Sequence, residues 1–277
     1  MSGTIWIASY PKSGNTWLRA VFHAWRLGRP VELNDLMVNI AAARHPFDDA
    51  LGVLSSDLTP SEIALLRPRV DELLAAEATE PFTRKTHDSL EPGPAGKPVL
   101  STAATRSALY VVRDPRDVAV SYAHHVGRDT DWAAAWLANP DAVMGPSAGA
   151  LEPQLPQRLG TWSQHVRSWV EHAPFPVHVL RYEDCIAAPV DTFGRALAVI
   201  AGAAVKEQDV AKAVERASFT RLQGAEEAGG FREQPPNADA RFFRSGRAGA
   251  WRSELSAAAA ARIESEHGDL MRRFSYL

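Results

Sequence analysis

The residues with the clearest chemical potential lie near the start of the chain, where a short apolar run leads into Tyr10–Trp17, which reads YPKSGNTW. Lys12 supplies a positive charge, Gly14 allows close backbone approach, and short hydroxyl and amide side chains add hydrogen-bond donors. A helical pattern follows, so the unpaired N–H groups of a helix N-terminus would face the same place. Residue types and spacing predict an anion site, although a plain strand–turn–helix connection has the same outline.

This loop differs from the ATP-binding P-loop, GxxxxGK[ST], in which the lysine directly follows the second glycine. Here Lys12 precedes the only glycine of the loop by two residues, and no compelling Walker-B aspartate or metal cluster appears. The sequence therefore disfavours ATP with magnesium. Two alternatives stay open, a P-loop-type ATP-dependent phosphotransferase and a catalytically silent nucleotide-binding module.

A second candidate anion site follows a later apolar run. Arg113 stands at the end of a predicted strand, and Ser121 lies eight residues further on, so both could reach one phosphate. Asp114 and Pro115 have the pattern of a helix N-cap and first helical residue, which favours a capping cluster instead. The two interpretations are compatible, because a well-capped helix is a rigid platform for a binding residue.

The segment Tyr10–Trp17 closely resembles the YPKSGTTW signature of the cytosolic-type sulfotransferases, with Asn15 in place of the first of two threonines. These enzymes use 3′-phosphoadenosine 5′-phosphosulfate (PAPS) as sulfonate donor, which leaves 3′,5′-adenosine bisphosphate (PAP) as product. The resemblance implies that the loop holds the 5′-phosphosulfate. The residues it assigns to this role are Lys12, Ser13, Gly14, Asn15, Thr16 and Trp17. Asparagine keeps a donor at its position, so we expect no loss of function there.

Other family motifs fall on the rest of the predicted nucleotide site. In the family's 3′-phosphate motif an arginine and a serine contact the phosphate, and these positions fall on Arg113 and Ser121. Tyr182 opens a YED triplet whose tyrosine lies at the adenine in the family. Ser218 and Phe219 resemble the TSFxxM stretch, whose phenylalanine packs near the base. An aromatic face against adenine is physically reasonable, although buried Tyr and Phe are also common in cores.

A segment near the C-terminus, Phe242–Arg252, reads FFRSGRAGAWR and resembles the family's FxRKGxxGDWK. The match implies 3′-phosphate contacts from Arg244, Ser245 and Gly246. Three positions depart from the pattern, with Ser245 for lysine, Ala250 for aspartate and Arg252 for lysine. Arg244 suits a phosphate because its planar fork donates two parallel charged hydrogen bonds. Taken alone, the segment is better explained as an exposed basic loop, but beside the other motifs phosphate binding is the favoured interpretation.

Sulfonate transfer to a hydroxyl needs a base for the acceptor proton and cations that stabilise the leaving phosphate. Lys85-Thr86-His87 resembles the family's KTH, which implies that His87 is the general base and that Lys85 assists at the sulfonate or acceptor. Lys12 would stabilise charge on the bridging oxygen, and no metal is expected. The flanking residues depart from the family at Phe82, Asp88 and Ser89. His124 and His125 are rival candidates for the base.

Composition narrows the class of protein. The chain has 277 residues, is 45% hydrophobic and 23% charged, and carries a formal net charge of −3. This balance is typical of a globular protein and argues against coating nucleic acid through bulk charge. Cys185 is the only cysteine, which excludes a disulfide framework and a Cys-cluster zinc site. We find no export signal and no membrane-spanning run, so we expect a cytoplasmic protein without membrane or nucleic-acid partners.

Strand-like apolar runs alternate with helical patterns along the chain. The runs are 4–9, 82–85, 108–112 and 177–182. This order predicts an α/β fold with a central parallel sheet flanked by helices, as one domain over residues 1–277. A capping-box pattern predicts a helix start at Thr59, and Pro68 should kink that helix or end it early. Asn139–Pro156 and Gly224–Ala240 are predicted to be irregular loops.

The acceptor is the least constrained part of the prediction. The chain looks similar to bacterial soluble sulfotransferases, including those that tailor glycopeptides and other natural products. This resemblance favours a hydroxyl on such a small molecule, with phenols, simple alcohols and lipids as open alternatives. The family's C-terminal dimer motif is not matched, so the oligomeric state stays open.

Overall fold

The computed structural model describes residues 2–36, 38–93, 96–145, 153–234 and 241–277. The strands are β1 (Thr4–Ser9), β2 (Asn39–Ile40), β3 (Phe82–Thr86), β4 (Thr105–Val112), β5 (Val143–Met144), β6 (Gln157–Arg158) and β7 (Val177–Arg181). The helices are α1 (Asn15–Leu27), α2 (Arg44–Leu51), α3 (Pro60–Glu77), α4 (Pro115–Val126), α5 (Thr130–Leu137), α6 (Trp162–Val170), α7 (Tyr182–Ala187), α8 (Pro189–Ala201), α9 (Glu207–Arg216), α10 (Phe219–Gly229), α11 (Trp251–Glu254) and α12 (Ala257–Arg273). None of these described helices is long and apolar enough to cross a lipid bilayer.

Five strands form one sheet in the order β2-β3-β1-β4-β7, and β3 pairs in parallel with both β1 and β2. The register aligns Thr4 with Phe82 and Ala8 with Thr86. Every residue of β1 is buried, as expected for a central strand of a parallel sheet. The predicted α/β fold with a central parallel sheet flanked by helices is therefore confirmed, and the four predicted strands are all present.

The chain divides into two compact units. The first comprises Met1–Tyr10, Val38–Tyr110 and Asn139–Val179, and the second comprises Pro11–Met37, Val111–Ala138 and Leu180–Leu277. The first unit thus holds most of the sheet with α2, α3 and α6, and the second holds α1, α4, α5 and α7–α12. The single domain over residues 1–277 stays a prediction.

Helix α3 begins where the sequence predicts it. The Thr59 hydroxyl accepts a hydrogen bond from the Glu62 backbone N–H, and the Glu62 carboxylate accepts one from the Thr59 N–H at 2.8 Å. This reciprocal pair is a capping box, and Pro60 occupies the first helical position, where its missing N–H costs nothing.

Proline at position 68 does not end α3, contrary to one of the two expected outcomes. The helix continues to Glu77. A proline inside a helix removes one backbone hydrogen bond, and contacts to the rest of the protein can offset that loss. Arg67 and Val70 on either side are buried, and Arg67 pairs with the buried Asp88. Tertiary contacts thus hold the helix across the proline.

The expectation of an irregular segment over Gly224–Ala240 is wrong for its first part, because α10 extends to Gly229. Leu222 and Glu226, four residues apart on the same helix face, are both buried, and this anchors the last turns of the helix. Residues 235–240 lie outside the described residues.

The proline-rich segment Asn139–Pro156 contains the short strand β5, which pairs antiparallel with β6. Its residues 146–152 are outside the described part of the chain, so a surface loop there stays a prediction.

The capping box of α3 generates a stability prediction. Replacing Thr59 with alanine leaves a backbone N–H of the first turn without its partner, so Thr59→Ala should lower the free energy of unfolding by about 1 kcal/mol. Urea unfolding followed by circular dichroism measures this. Thr79→Ala, at an exposed threonine outside any helix, is the control and should change little. Equal effects of the two substitutions would contradict the prediction.

Candidate active site

The predicted phosphate loop lies in the second unit, directly before α1. Lys12 and Gly14 both have left-handed backbones, with φ of 65° and 106°. Ser13 is 1% exposed, and its hydroxyl has no hydrogen-bond partner among the described residues. Asn15 and Thr16 are buried at the first turn of the helix. The loop thus presents a buried hydroxyl and helix N-terminal amides, which are the donors an anion needs.

Tyr182 packs against this loop. A Cβ atom placed on Gly14 would lie 2.7 Å from the Cδ2 atom of the Tyr182 ring, so only glycine fits there. The same ring faces the guanidinium of Arg113, whose Cζ lies 4.2 Å from the ring centroid. Trp17 meets Tyr182 edge-on and donates from Nε1 to the Ala217 carbonyl. The tyrosine predicted for the adenine is therefore in contact with the predicted phosphate loop.

Arg113 connects three of the predicted segments. Its Nη1 donates to the Lys12 carbonyl at 3.1 Å and its Nη2 donates to the Arg247 carbonyl at 3.0 Å. The Nε atom is buried without a hydrogen bond among the described residues. Asp114 caps α4 by accepting from the Arg116 N–H, as predicted. Ser121, which is half-buried, lies further along the same helix.

Asp117 is a functional residue that the sequence reasoning missed. Its side chain is buried on α4 and accepts hydrogen bonds from the backbone N–H groups of Gly249 at 2.6 Å and Trp251 at 3.0 Å. The carboxylate thereby fixes the C-terminal segment that carries Arg244. The nearest sequence signal was the Arg–Asp cluster, but the partners are backbone amides more than 130 residues away, so spacing could not reveal them.

The other end of that segment is held by α10. The Glu226 carboxylate accepts from the N–H groups of Phe242 at 2.6 Å and Phe243 at 3.0 Å. Gly246 has a left-handed backbone, and a Cβ atom there would overlap the ring of Phe219, the predicted base-contacting residue. Ser218 stands at the N-cap position of α10. Phe219 and Gly246, both predicted from motifs, therefore form one tight contact.

The structure gives the remaining predicted side chains specific neighbours. Lys12 Nζ lies 3.9 Å from the centroid of the Phe242 ring and 3.4 Å from His125 Nδ1. Arg244 is paired with Glu254, and Ser245 is half-buried beside it in sequence. All of the predicted nucleotide-binding residues belong to the second unit.

His87 and Lys85 belong to the first unit, at and just after the end of β3. His87 Nδ1 lies 2.8 Å from the Ser9 carbonyl oxygen. A carbonyl oxygen can only accept, so Nδ1 carries the proton in the neutral ring and Nε2 keeps its lone pair. This is the tautomer that a base acting through Nε2 requires. Lys85 is buried in the strand.

Side chains from α6 and from β6 hold the backbone of His87. Its N–H donates to Gln157 Oε1 at 3.1 Å, and its carbonyl accepts from His165 Nε2 at 2.9 Å. Because His165 donates through Nε2, its Nδ1 accepts, and the Tyr110 hydroxyl donates to it at 2.8 Å. Burial lowers the pKa of His165 to about 4, so the ring is neutral at neutral pH. Sequence reasoning missed this support, because no local motif carries it.

The departure from the family pattern at Asp88 has a structural explanation. Arg67 donates to both carboxylate oxygens of Asp88, at 3.0 Å and 2.5 Å. The same carboxylate accepts from the Thr86 hydroxyl and from the Arg158 backbone N–H, both at 3.0 Å. A buried carboxylate with this many donors is fully compensated. It fixes the backbone on both sides of His87.

The two rival histidines have different surroundings. His124 is 43% exposed, and its Nε2 lies 3.0 Å from Glu254. His125 contacts Lys12 and meets Phe242 edge-on. Among the described residues, no group of three or more His, Cys, Asp or Glu side chains is arranged to hold a metal ion.

A parallel α/β fold, a lysine- and glycine-bearing anion loop after its first strand and a histidine of defined tautomer are typical of a nucleotide-dependent group-transfer enzyme. A family model described as a sulfotransferase domain matches residues 2–275. The chain belongs to this sulfotransferase family, and the predicted class of enzyme is confirmed.

Curated relatives agree with this assignment. The chain is 27% identical over 224 residues to Sulfotransferase 1A1 of Bos taurus. The aligned region covers 78% of this chain and 65% of the bovine protein. It is 26% identical over 272 residues to Cytosolic sulfotransferase 16 of Arabidopsis thaliana, which covers 93% of this chain and 73% of that relative. The chain thus spans about two thirds of the length of the bovine protein.

Solved structures share the fold. Retinol dehydratase in complex with androsterone and the inactive cofactor PAP matches with a TM-score of 0.63 and 20% identity, covering 97% of this chain and 80% of that one. A mouse sulfotransferase complexed with PAP matches with a TM-score of 0.62 and 19% identity. The match covers 98% of this chain and 84% of the mouse chain. At these identities the comparison establishes a common fold.

The contact between Gly14 and Tyr182 yields a prediction with a built-in control. Gly28 also has a left-handed backbone, but nothing lies within 4 Å of the position of its Cβ. Gly28→Ala should therefore cost only the backbone strain, about 1 kcal/mol. Gly14→Ala adds a steric clash with the ring and should cost roughly 2 kcal/mol or more. Urea unfolding compares the two, and equal costs would contradict the predicted clash.

His165 generates a pH prediction. Its pKa is about 4 in the folded protein and about 6.5 when unfolded, so the unfolded chain binds more protons between these values. Its contribution to the free energy of unfolding, roughly 3 kcal/mol, should be complete above pH 6.5 and disappear as the pH falls to about 4. Urea unfolding at several pH values should show a shallower slope for His165→Gln. The exposed His45→Gln control should keep the wild-type slope.

Proposed function

We propose that this chain transfers a sulfonate group from PAPS to a hydroxyl group of a small-molecule acceptor and releases PAP. The observation that carries the proposal is the cluster of Lys12, Gly14, Arg113 and Tyr182, which gathers an anion loop, a cation and an aromatic face in one unit. Family membership supports the same reaction class. The alternative of an ATP-dependent phosphotransferase is not favoured, since the lysine lies before the glycine of the loop.

The described residues fit a sulfated adenine nucleotide. The Ser13 hydroxyl and the Arg113 Nε atom are buried polar groups without partners among the described residues, and phosphate oxygens of the nucleotide could satisfy each of them. Tyr182 and Phe219 supply aromatic faces for a base. When bound, PAPS supplies a sulfonate on a good leaving phosphate. We assign its binding to the residues predicted from the sequence, including Ser121, Arg244, Ser245 and Gly246.

Each catalytic residue has a defined task in the proposal. His87 accepts the acceptor proton at Nε2, because the Ser9 carbonyl holds the proton on Nδ1. A positioned general base contributes typically about 10² to 10⁴-fold in rate. The ammonium of Lys12 neutralises charge that develops on the leaving phosphate, and Lys85 assists at the sulfonate or acceptor. These cations take the role that a metal ion has in triphosphate chemistry, so no step of the proposed reaction requires a metal.

The biological setting is part of the proposal. We assign the enzyme to the cytoplasm of a bacterium and to the modification of a natural-product metabolite, on the resemblance of its signature loop to bacterial soluble sulfotransferases. Retinol dehydratase, which shares the fold, has been solved with androsterone, a small hydroxylated molecule. A panel of phenols, alcohols and glycopeptide-like acceptors, read by the mass gain of one sulfonate, would identify the acceptor class.

Ligand choice tests the proposal directly. PAP at one hundred times its dissociation constant should stabilise the protein by about 2.7 kcal/mol, visible as a raised melting temperature. ATP with magnesium at the same concentration should give a smaller shift, because it lacks the 3′-phosphate that Arg113, Ser121 and Arg244 are assigned to bind. A large shift with ATP and magnesium but none with PAP would contradict the proposal.

Turnover of variants tests the base. With ³⁵S-labelled PAPS and an active acceptor, His87→Ala should lower kcat by about 10² to 10⁴-fold because it removes the proton acceptor. At saturating PAPS, His124→Ala should keep kcat near the wild-type value, because His124 is not assigned as the base. The melting-temperature shift with PAP checks that His87→Ala remains folded and binds nucleotide. Near-normal turnover of His87→Ala would overturn the assignment.

A further inference from the structure

The guanidinium of Arg244 is held from one side only. Its Nη1 donates to Glu254 Oε1 at 3.1 Å and lies 3.0 Å from Oε2. Within the described part of the chain, its Nε and Nη2 atoms donate no hydrogen bond, and the side chain is 30% exposed. The Nη1 end of the fork is therefore anchored, while the Nε–Nη2 edge, which carries two parallel N–H donors, makes no hydrogen bond to the described residues.

The anchoring carboxylate is itself fixed. His124, on α4, places Nε2 3.0 Å from Glu254 Oε2. Burial alone would raise the pKa of Glu254, but the hydrogen bonds from His124 and Arg244 lower it, so the carboxylate is ionised at neutral pH. His124 lies three residues after Ser121 on the same helix. Glu254 therefore links Arg244 to α4, the helix that bears Ser121, which is also assigned to the 3′-phosphate.

The orientation of Arg244 is important because of how few positive charges the stretch Phe243–Gly246 carries. The family pattern places a lysine directly after the arginine, and this chain has Ser245 there. Arg244 is consequently the only charged side chain within Phe243–Gly246. A single arginine recognises a phosphate well only when both N–H donors of one edge bond to it at the same time. A side chain that is not anchored beforehand loses rotamer entropy on forming these two bonds.

We propose that Glu254, braced by His124, is a positioning residue that presents the Nε–Nη2 edge of Arg244 to the 3′-phosphate of the nucleotide. The inference rests on the proposed function. Its cost is the repulsion between the Glu254 carboxylate and the phosphate, which the positive guanidinium between them offsets in part. The inference requires the gain in preorganised bidentate geometry to exceed that repulsion. Selectivity for nucleotides that carry a 3′-phosphate should therefore depend on Glu254.

The test compares the dissociation constants of PAP and of adenosine 5′-monophosphate, which lacks the 3′-phosphate, by calorimetry. Glu254→Gln should weaken PAP about tenfold while leaving the monophosphate unchanged, as expected for the loss of one charge-assisted contact. Glu215→Gln is the matched control, because Glu215 forms an exposed ion pair with Arg221 elsewhere in the same unit. It should change neither constant.

A rescue variant separates positioning from a merely structural role. Adding Ser245→Lys to Glu254→Gln restores a second cation beside Arg244, so it should recover most of the selectivity for PAP. Equal weakening of both ligands by Glu254→Gln, unchanged selectivity, or tighter PAP binding would each overturn the inference. A wild-type protein that binds PAP no better than the monophosphate would instead contradict the proposed function. The two failures are therefore distinguishable.

Discussion

The hydrogen bond between His87 Nδ1 and the Ser9 carbonyl is the constraint on which the proposed chemistry of this protein depends. It sets the tautomer of the ring and leaves the lone pair on Nε2. Gln157 and His165 hold the backbone of the same residue, and the Asp88 carboxylate, directly after it, accepts from the hydroxyl of Thr86, directly before it. Ser9 ends the first strand, and the anion loop begins two residues later in sequence. A fully buried strand thus supplies the atom that orients the proposed base.

In the second unit, acidic side chains organise the predicted nucleotide residues through backbone amides. Asp117 and Glu226 each accept two N–H groups of the C-terminal segment. Arg113 donates to one carbonyl of that segment and to the Lys12 carbonyl. Such bonds fix the backbone before a ligand arrives, so binding does not require those segments to be ordered. Neither carboxylate is placed to attract an anion. Each holds the backbone of the segment to which the proposal assigns phosphate contacts.

Sequence reasoning succeeded where the determining interactions are local. The capping box at Thr59, the cap at Asp114 and the strand–loop–helix at Lys12 are readable within a few residues. It left open whether Pro68 kinks α3 or ends it, and the helix continues because tertiary contacts hold it past the proline. It also missed His165 and Asp117, whose partners lie 78 and 132 residues away. The family resemblance supplied the distant motifs but not the residues that support them.

The tautomer of His87 is the most direct test of this account. Nitrogen-15 NMR of histidine-labelled protein at mildly alkaline pH, with the His87 signals assigned by their loss in His87→Ala, reports which ring nitrogen carries the proton. The account predicts a protonated Nδ1 and an unprotonated Nε2. A ring protonated at Nε2 would break the hydrogen bond to the Ser9 carbonyl and remove the lone pair from the atom assigned as base, which would contradict the account.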